Sequence, residues 1–173
     1  MSFALSLLLA SAPFSAQDLP APEPSCNALR PALPVGFEGW STRVALEAGA
    51  ATRHAPVLAV GRAAELRLVP LDRLAPAAPP TRDLGTGTNA GVALFQVTRP
   101  GTYRIALGGP AWIEVVRGGR PLPATAQGHG PACSGIRKIV DYRLAPGRYV
   151  LQLTGAATNT LPVLIAPAPE GAA

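Results

Sequence analysis

Two stretches of the chain follow one approximate plan, and that repeat constrains the fold more than any other feature. In the first, residues 91–97 (GVALFQV) lead to Pro100-Gly101-Thr102-Tyr103, then RIAL, a loop, and AWIEVV. In the second, residues 135–144 (GIRKIVDYRL) lead to Pro146-Gly147-Arg148-Tyr149, then VLQL, a loop, and LPVLIAP. Proline presets φ and glycine accepts positive φ, so each Pro-Gly marks a tight reversal between antiparallel strands, a doubled hairpin. Alternation puts Tyr103, Ile105 and Leu107 on one face, and Tyr149, Leu151 and Leu153 on another.

Further strand-like pieces precede the repeat at 40–48 (WSTRVALEA), 56–60 (PVLAV) and 64–70 (AELRLVP). In the last of these Leu66 and Leu68 point inward and Glu65 and Arg67 outward. Residues 74–89 read as a long loop. With 18 Gly and 20 Pro in 173 residues, long helices are excluded, while a 48% hydrophobic share excludes a disordered chain. The expectation is an all-β protein: an antiparallel β-sandwich or jelly roll of about 8–9 short strands.

The apolar run at 3–9 (FALSLLL), followed by small residues, reads as a secretory signal peptide over 1–16 with cleavage near Ala16. It is too short to span a bilayer. A Pro-rich extended segment over 17–34 follows, then the sandwich domain over 35–167 and a disordered tail over 168–173. The destination is the periplasm or the exterior of a bacterium. Cys26 and Cys133 are the only cysteines. An even count in an exported chain predicts a disulfide, tying the Pro-rich segment to the Gly-rich loop before residues 136–144.

The pattern of an apolar-aromatic strand, Pro-Gly-x-Tyr and an alternating strand resembles the pre-peptidase C-terminal domains, jelly-roll sandwiches attached to secreted bacterial enzymes. The resemblance covers residues 91–165. The acidic Asp-x-Asp strand common in that family is absent, so its calcium-type contacts are not implied. Taken together, GHGPACSGIRK and LAPGRYVLQL are also similar to small exported alphaproteobacterial β-sandwich proteins with no established activity.

Charge is unevenly placed. Residues 99–148 carry Arg99, Arg104, Arg117, Arg120, Arg137, Lys138, Arg143 and Arg148 against only Glu114 and Asp141. The candidate ligand-binding residues are therefore His129, in its Gly-rich loop, with Arg137, Lys138, Arg143 and Arg148. Lys138 is unusual because it shares an apolar face with Ile136, Val140, Tyr142 and Leu144. It either snorkels at a sheet edge or pairs with a buried carboxylate. Arg137, Ile139, Asp141 and Arg143 form the opposite, solvated face. Trp40 and Trp112 are either a sugar-binding platform or buried sandwich residues.

Catalytic signals are missing. There is no Gly-x-Ser-x-Gly elbow, and a Ser-His-Asp triad would need one of two isolated histidines, His54 or His129. A dioxygenase-type iron site needs two His and a carboxylate, which nothing in the spacing favours. No catalytic residue, metal or cofactor is expected. Gly85-Thr86-Gly87 lacks a phosphate-loop ending, and no nucleic-acid module is present, so specific nucleic-acid binding is not expected. The expected function is an exported, non-catalytic binding or accessory module of the cell envelope. Its partner would be an anionic glycan, a lipid head group or another envelope protein. A metal-dependent enzyme around His129 and a structural envelope protein are the alternatives.

Overall fold

The computed structural model of the chain describes Cys26, residues 31–82 and residues 85–169. The expected signal peptide, most of the Pro-rich segment and the end of the tail lie outside the described residues. Twelve strands are described: β1 (Arg43–Glu47), β2 (Val57–Leu58), β3 (Ala63–Arg67), β4 (Val69–Pro70), β5 (Asn89–Val97) and β6 (Gly101–Leu107) come first. They are followed by β7 (Trp112–Arg117), β8 (Arg120–Pro121), β9 (Ala126–Gly128), β10 (Lys138–Leu144), β11 (Gly147–Ala156) and β12 (Thr160–Pro167). The count exceeds the expected 8–9 because β2, β4, β8 and β9 are two- or three-residue edge pieces, too short to carry a visible alternation.

The strands form two packed sheets, a β-sandwich. One sheet runs β1-β3-β12-β6-β10-β9; the other runs β2-β5-β11-β7-β8, with β4 also on β5. Pairing is antiparallel except for β1 with β3 and β2 with β5, which are parallel. The repeat organises the whole. Strands β5, β6 and β7 correspond to β10, β11 and β12, and each repeat's middle strand lies between the outer two of the other. Thus β11 sits between β5 and β7, while β6 sits between β10 and β12.

This interlock corrects the hairpin expectation. The strands flanking each Pro-Gly do not pair with each other. Pro100-Gly101 carries the chain from the second sheet to the first, and Pro146-Gly147 carries it back. Both crossings lie at one end of the sandwich, since Gly147 opposes Val97 and Gly101 opposes Leu144. Each is latched alike. The Tyr103 hydroxyl donates to the Arg99 carbonyl (3.0 Å) and the Tyr149 hydroxyl to the Ala145 carbonyl (2.7 Å). A tyrosine reaching back to upstream backbone in this way is a recurrent corner device of sandwiches.

The core lies between the sheets, with Tyr103, Ile105 and Leu107 facing Tyr149, Leu151 and Leu153 as the alternation requires. Part of the outer face of the first sheet is covered rather than solvated, contrary to expectation, while Arg143 on the same face stays exposed. Ile139 is buried there with Ile136, Ala106, Leu164 and Ala166 beneath Phe37 (0% exposed) and Trp40 (2% exposed) from the segment before β1. Residues 37–40 form turns rather than the start of a strand. Ile136 also leaves the face assigned to it, because β10 begins only at Lys138, after left-handed backbone at Cys133 (φ 61°) and Gly135 (φ 70°). The disulfide Cys26–Cys133 is formed and links residues 107 apart in sequence.

Candidate functional site

At the end opposite the Pro-Gly crossings, a pocket of about 630 Å³ is lined by residues from both sheets. Its position follows from four chain ends that meet there. The β6–β7 loop supplies Pro110 and Ala111, and β7 begins with Trp112. The start of β10 supplies Lys138, preceded by Arg137; β9 and the residue after it supply Gln127 and His129; β11 contributes Thr154. Arg82 arrives from the long loop.

Arg82 is held in place by a buried polar clamp on the outer face of the second sheet. Gln152 (0% exposed) alternates with core-facing Leu151 and Leu153, so its amide must find partners outside the core. The side-chain oxygen accepts from the backbone N–H of Ala77 (2.7 Å), and the side-chain nitrogen donates to the Ala78 carbonyl (3.0 Å). That nitrogen also donates to Glu114 Oε2 (2.6 Å), while Glu114 Oε1 accepts from the Thr81 N–H (2.8 Å). The Trp112 indole N–H then donates to Thr81 Oγ1 (3.1 Å). Loop, carboxylate and indole therefore form one network, and the residue after Thr81 is Arg82.

Trp112 is contacted by two cations. The Arg82 guanidinium lies 5.1 Å from a Trp112 ring centroid, and Lys138 Nζ lies at the same distance. Both are within cation–π range. Burial, and then the nearby Arg82 charge, hold the Lys138 ammonium below the usual lysine range. No Asp or Glu is among the described residues lining the pocket. Thr154 is fully buried in its wall, and its hydroxyl has no hydrogen-bond partner among the described residues. Cations beside an aromatic ring, with no carboxylate among the described lining residues, can receive negative charge.

His129 lies on the pocket rim, exposed, with Nδ1 3.3 Å from the Arg137 carbonyl. A carbonyl only accepts, so Nδ1 carries the proton. The loop that presents it is compact: the Ser134 hydroxyl donates to the Pro131 carbonyl (2.6 Å) and accepts from the Ile136 N–H (3.1 Å). Gly130 is required there, because a Cβ would collide with the Ile136 carbonyl oxygen.

The expected binding residues are thus split. His129, Arg137 and Lys138 converge on the pocket. Arg143 and Arg148 do not line it; alternation against inward Tyr142 and Tyr149 puts them on the outer faces of opposite sheets. Lys138 takes neither of the two places expected of it alone: it points from the inner face of β10 to Trp112. Of the two tryptophans, Trp40 is buried and Trp112 is the pocket aromatic. His54 lies exposed in a 3-10 turn (Thr52–His54) and lines no described pocket. Among the described residues, no three His, Cys, Asp or Glu side chains are grouped to hold a metal ion. Arg82 was not anticipated: it is an isolated charge in a Pro-rich loop, with no local signal of its destination.

No protein-family model matches the chain, and no curated protein does. Among solved structures, the chain is similar to the pre-peptidase C-terminal domain of a collagenase from Bacillus anthracis. That match has 13% identity and a TM-score of 0.39, covering 65% of this chain and 94% of that one.

Proposed function

We propose that the chain is an exported, non-catalytic binding module that holds an anionic group in the Trp112 pocket. The observation that carries this reading is the placement of Arg82 and Lys138 over the Trp112 ring, with Arg137 lining the same pocket and no Asp or Glu among its described lining residues. Export is supported by the leader-like run at 3–9 and by a disulfide, which persists in oxidising compartments such as the periplasm. Among the described residues no helix is long and apolar enough to cross a membrane.

Calorimetric titration with polygalacturonate and with phosphatidylglycerol vesicles, against dextran and phosphatidylcholine vesicles, tests the reading. Binding to at least one anionic probe is expected at low ionic strength, weakened at high salt by screening. Lys138→Ala or Arg82→Ala should each weaken it by roughly 10-fold or more, the usual worth of a charge-assisted contact. Arg143→Ala and Arg148→Ala should leave it unchanged. Equal binding of neutral and anionic probes would overturn the proposal.

A further inference from the structure

A second cavity, of about 380 Å³, adjoins the basic pocket and shares Trp112, Gln127 and Lys138 with it. Its character is different. Ile113, Pro121, Leu122, Pro123, Ala124 and Val140 supply most of the wall. Apart from Gln127 and Lys138 at the junction with the basic pocket, the polar groups there are already engaged. Both Glu114 oxygens accept hydrogen bonds, the Tyr142 hydroxyl donates to the Ile113 carbonyl (3.2 Å), and Thr81 Oγ1 accepts from Trp112. A sugar ring seated here would leave most of its hydroxyls unpaired, which is costly. A hydrocarbon chain would leave nothing unpaired.

We infer that the ligand is a single-chain anionic amphiphile, its carboxylate or phosphate head in the basic pocket and its acyl chain in the adjoining apolar cavity. This rests on the anion-binding reading above and narrows it. Charge complementarity fixes the orientation: among the described residues, Lys138 is the one cation lining both cavities, and Arg82 and Arg137 line the basic pocket but not the apolar one. Both volumes fall within the ordinary range of small-molecule sites. Trp112 lines both cavities, and the cations over its ring, Arg82 and Lys138, are within reach of the head.

The experiment is a calorimetric titration of the full chain with laurate, butyrate, dodecyl phosphate and dodecyl maltoside, each below its micellar concentration. Each methylene removed from water contributes roughly a factor of four in affinity. Laurate should therefore exceed butyrate by about a hundredfold or more even if only part of the chain is buried. Dodecyl phosphate separates a phosphate from a carboxylate head, and binding of either supports the inference. Ala124→Trp, at an exposed position on the apolar wall, should abolish the laurate preference and leave butyrate unaffected. A matching denaturation midpoint checks that this variant folds. Lys138→Ala should weaken both acids by a similar factor.

Laurate and butyrate binding equally, with Lys138→Ala still weakening both, would overturn the amphiphile and leave the anion pocket standing. Dodecyl maltoside binding as tightly as laurate, or laurate binding unaffected by Lys138→Ala and Arg82→Ala, would overturn both.

Discussion

The interlocked repeats give the sandwich two corresponding edges, and the protein finishes them differently. On one edge the chain from β3 to β4 crosses between the sheets. There β3 pairs with β12 from its first residue, Thr160, and β4 pairs with the start of β5. The crossing lies at the very end of the sandwich, with Leu66 and Leu68 buried inside it. On the other edge the chain from β8 to β9 makes the equivalent crossing. It holds β7 only at Val116 and Arg117, adds one bond from the Leu122 N–H to the Val115 carbonyl, and by Thr125 is already bonded to Asp141 of β10. The next carbonyl along β7, that of Ile113, is taken by the Tyr142 hydroxyl. This crossing therefore falls part-way down, and among the described residues it leaves the starts of β7 and β10 unstrapped. The two cavities lie in that gap. Where a connecting strap crosses, rather than what the sheets contain, decides which edge carries the cavities.

The largest expected effect separates the edges by stability. Leu66→Ala removes a fully buried side chain and should cost about 3 kcal/mol, within the usual span for such truncations. Leu122→Ala, only partly buried against the core, should cost about 1 kcal/mol or less. Urea denaturation of both variants measures the difference, and equal losses would break the comparison. The next effect belongs to Tyr142, where the open crossing ends. Burial, then the Glu114 charge, push its phenol up to about 12, partly offset by the Val115 backbone. A folded value above the unfolded one favours the folded state while the phenol stays protonated. That contribution is complete below about pH 10 and is lost as pH rises through 12. The loss should approach 2–3 kcal/mol. Lys138 titrates with the opposite sign, so the measurement is the difference between wild type and Tyr142→Phe over that window.

How much of this was legible in the sequence depends on how local each signal was. The core faces of β6 and β11 followed from alternation, and the disulfide from an even cysteine count beside a leader-like apolar run. His129, Arg137 and Lys138 are near neighbours in sequence, so a short loop and strand start bring them together without tertiary information. Arg143 lies away from the pocket for the same kind of reason: six residues along an extended strand place it roughly 20 Å beyond Arg137. The Pro-Gly turns misled because a reversal has the same local chemistry whether the next strand joins its own sheet or the opposite one. Arg82 and Trp112 were brought together by Gln152, which reaches the loop across 74 residues and Glu114 across 38. No period or spacing reports contacts of that range.

That clamp gives a third measure of the open edge. Gln152→Ala strips the Ala77 and Ala78 backbone and the Glu114 carboxylate of buried partners, and about 2 kcal/mol should be lost. Unlike Leu66→Ala, it should also release Arg82 and Thr81 from Trp112, changing the indole emission without ligand. Stability lost with no change in emission would mean that the loop stays seated without the clamp.

The smallest expected effects lie at the other end, where the repeats are still equivalent. Tyr103→Phe and Tyr149→Phe each remove one hydroxyl latch to the carbonyl preceding a Pro-Gly crossing, and each should cost about 1 kcal/mol. Their environments differ in one respect. The Tyr149 hydroxyl also accepts from Arg117 (3.0 Å), whose guanidinium lies 5.2 Å from the Tyr149 ring centroid. Arg117 is exposed and can turn to water, so the excess for Tyr149→Phe should be a few tenths of a kcal/mol. Added salt should narrow it by screening. Near-equal losses here, beside unequal losses for Leu66 and Leu122, would place the asymmetry of the molecule at the pocket end alone. A large disparity between the two tyrosines would mean that the repeats had already diverged at their turns, and that the open edge is one of several differences rather than the one that made the site.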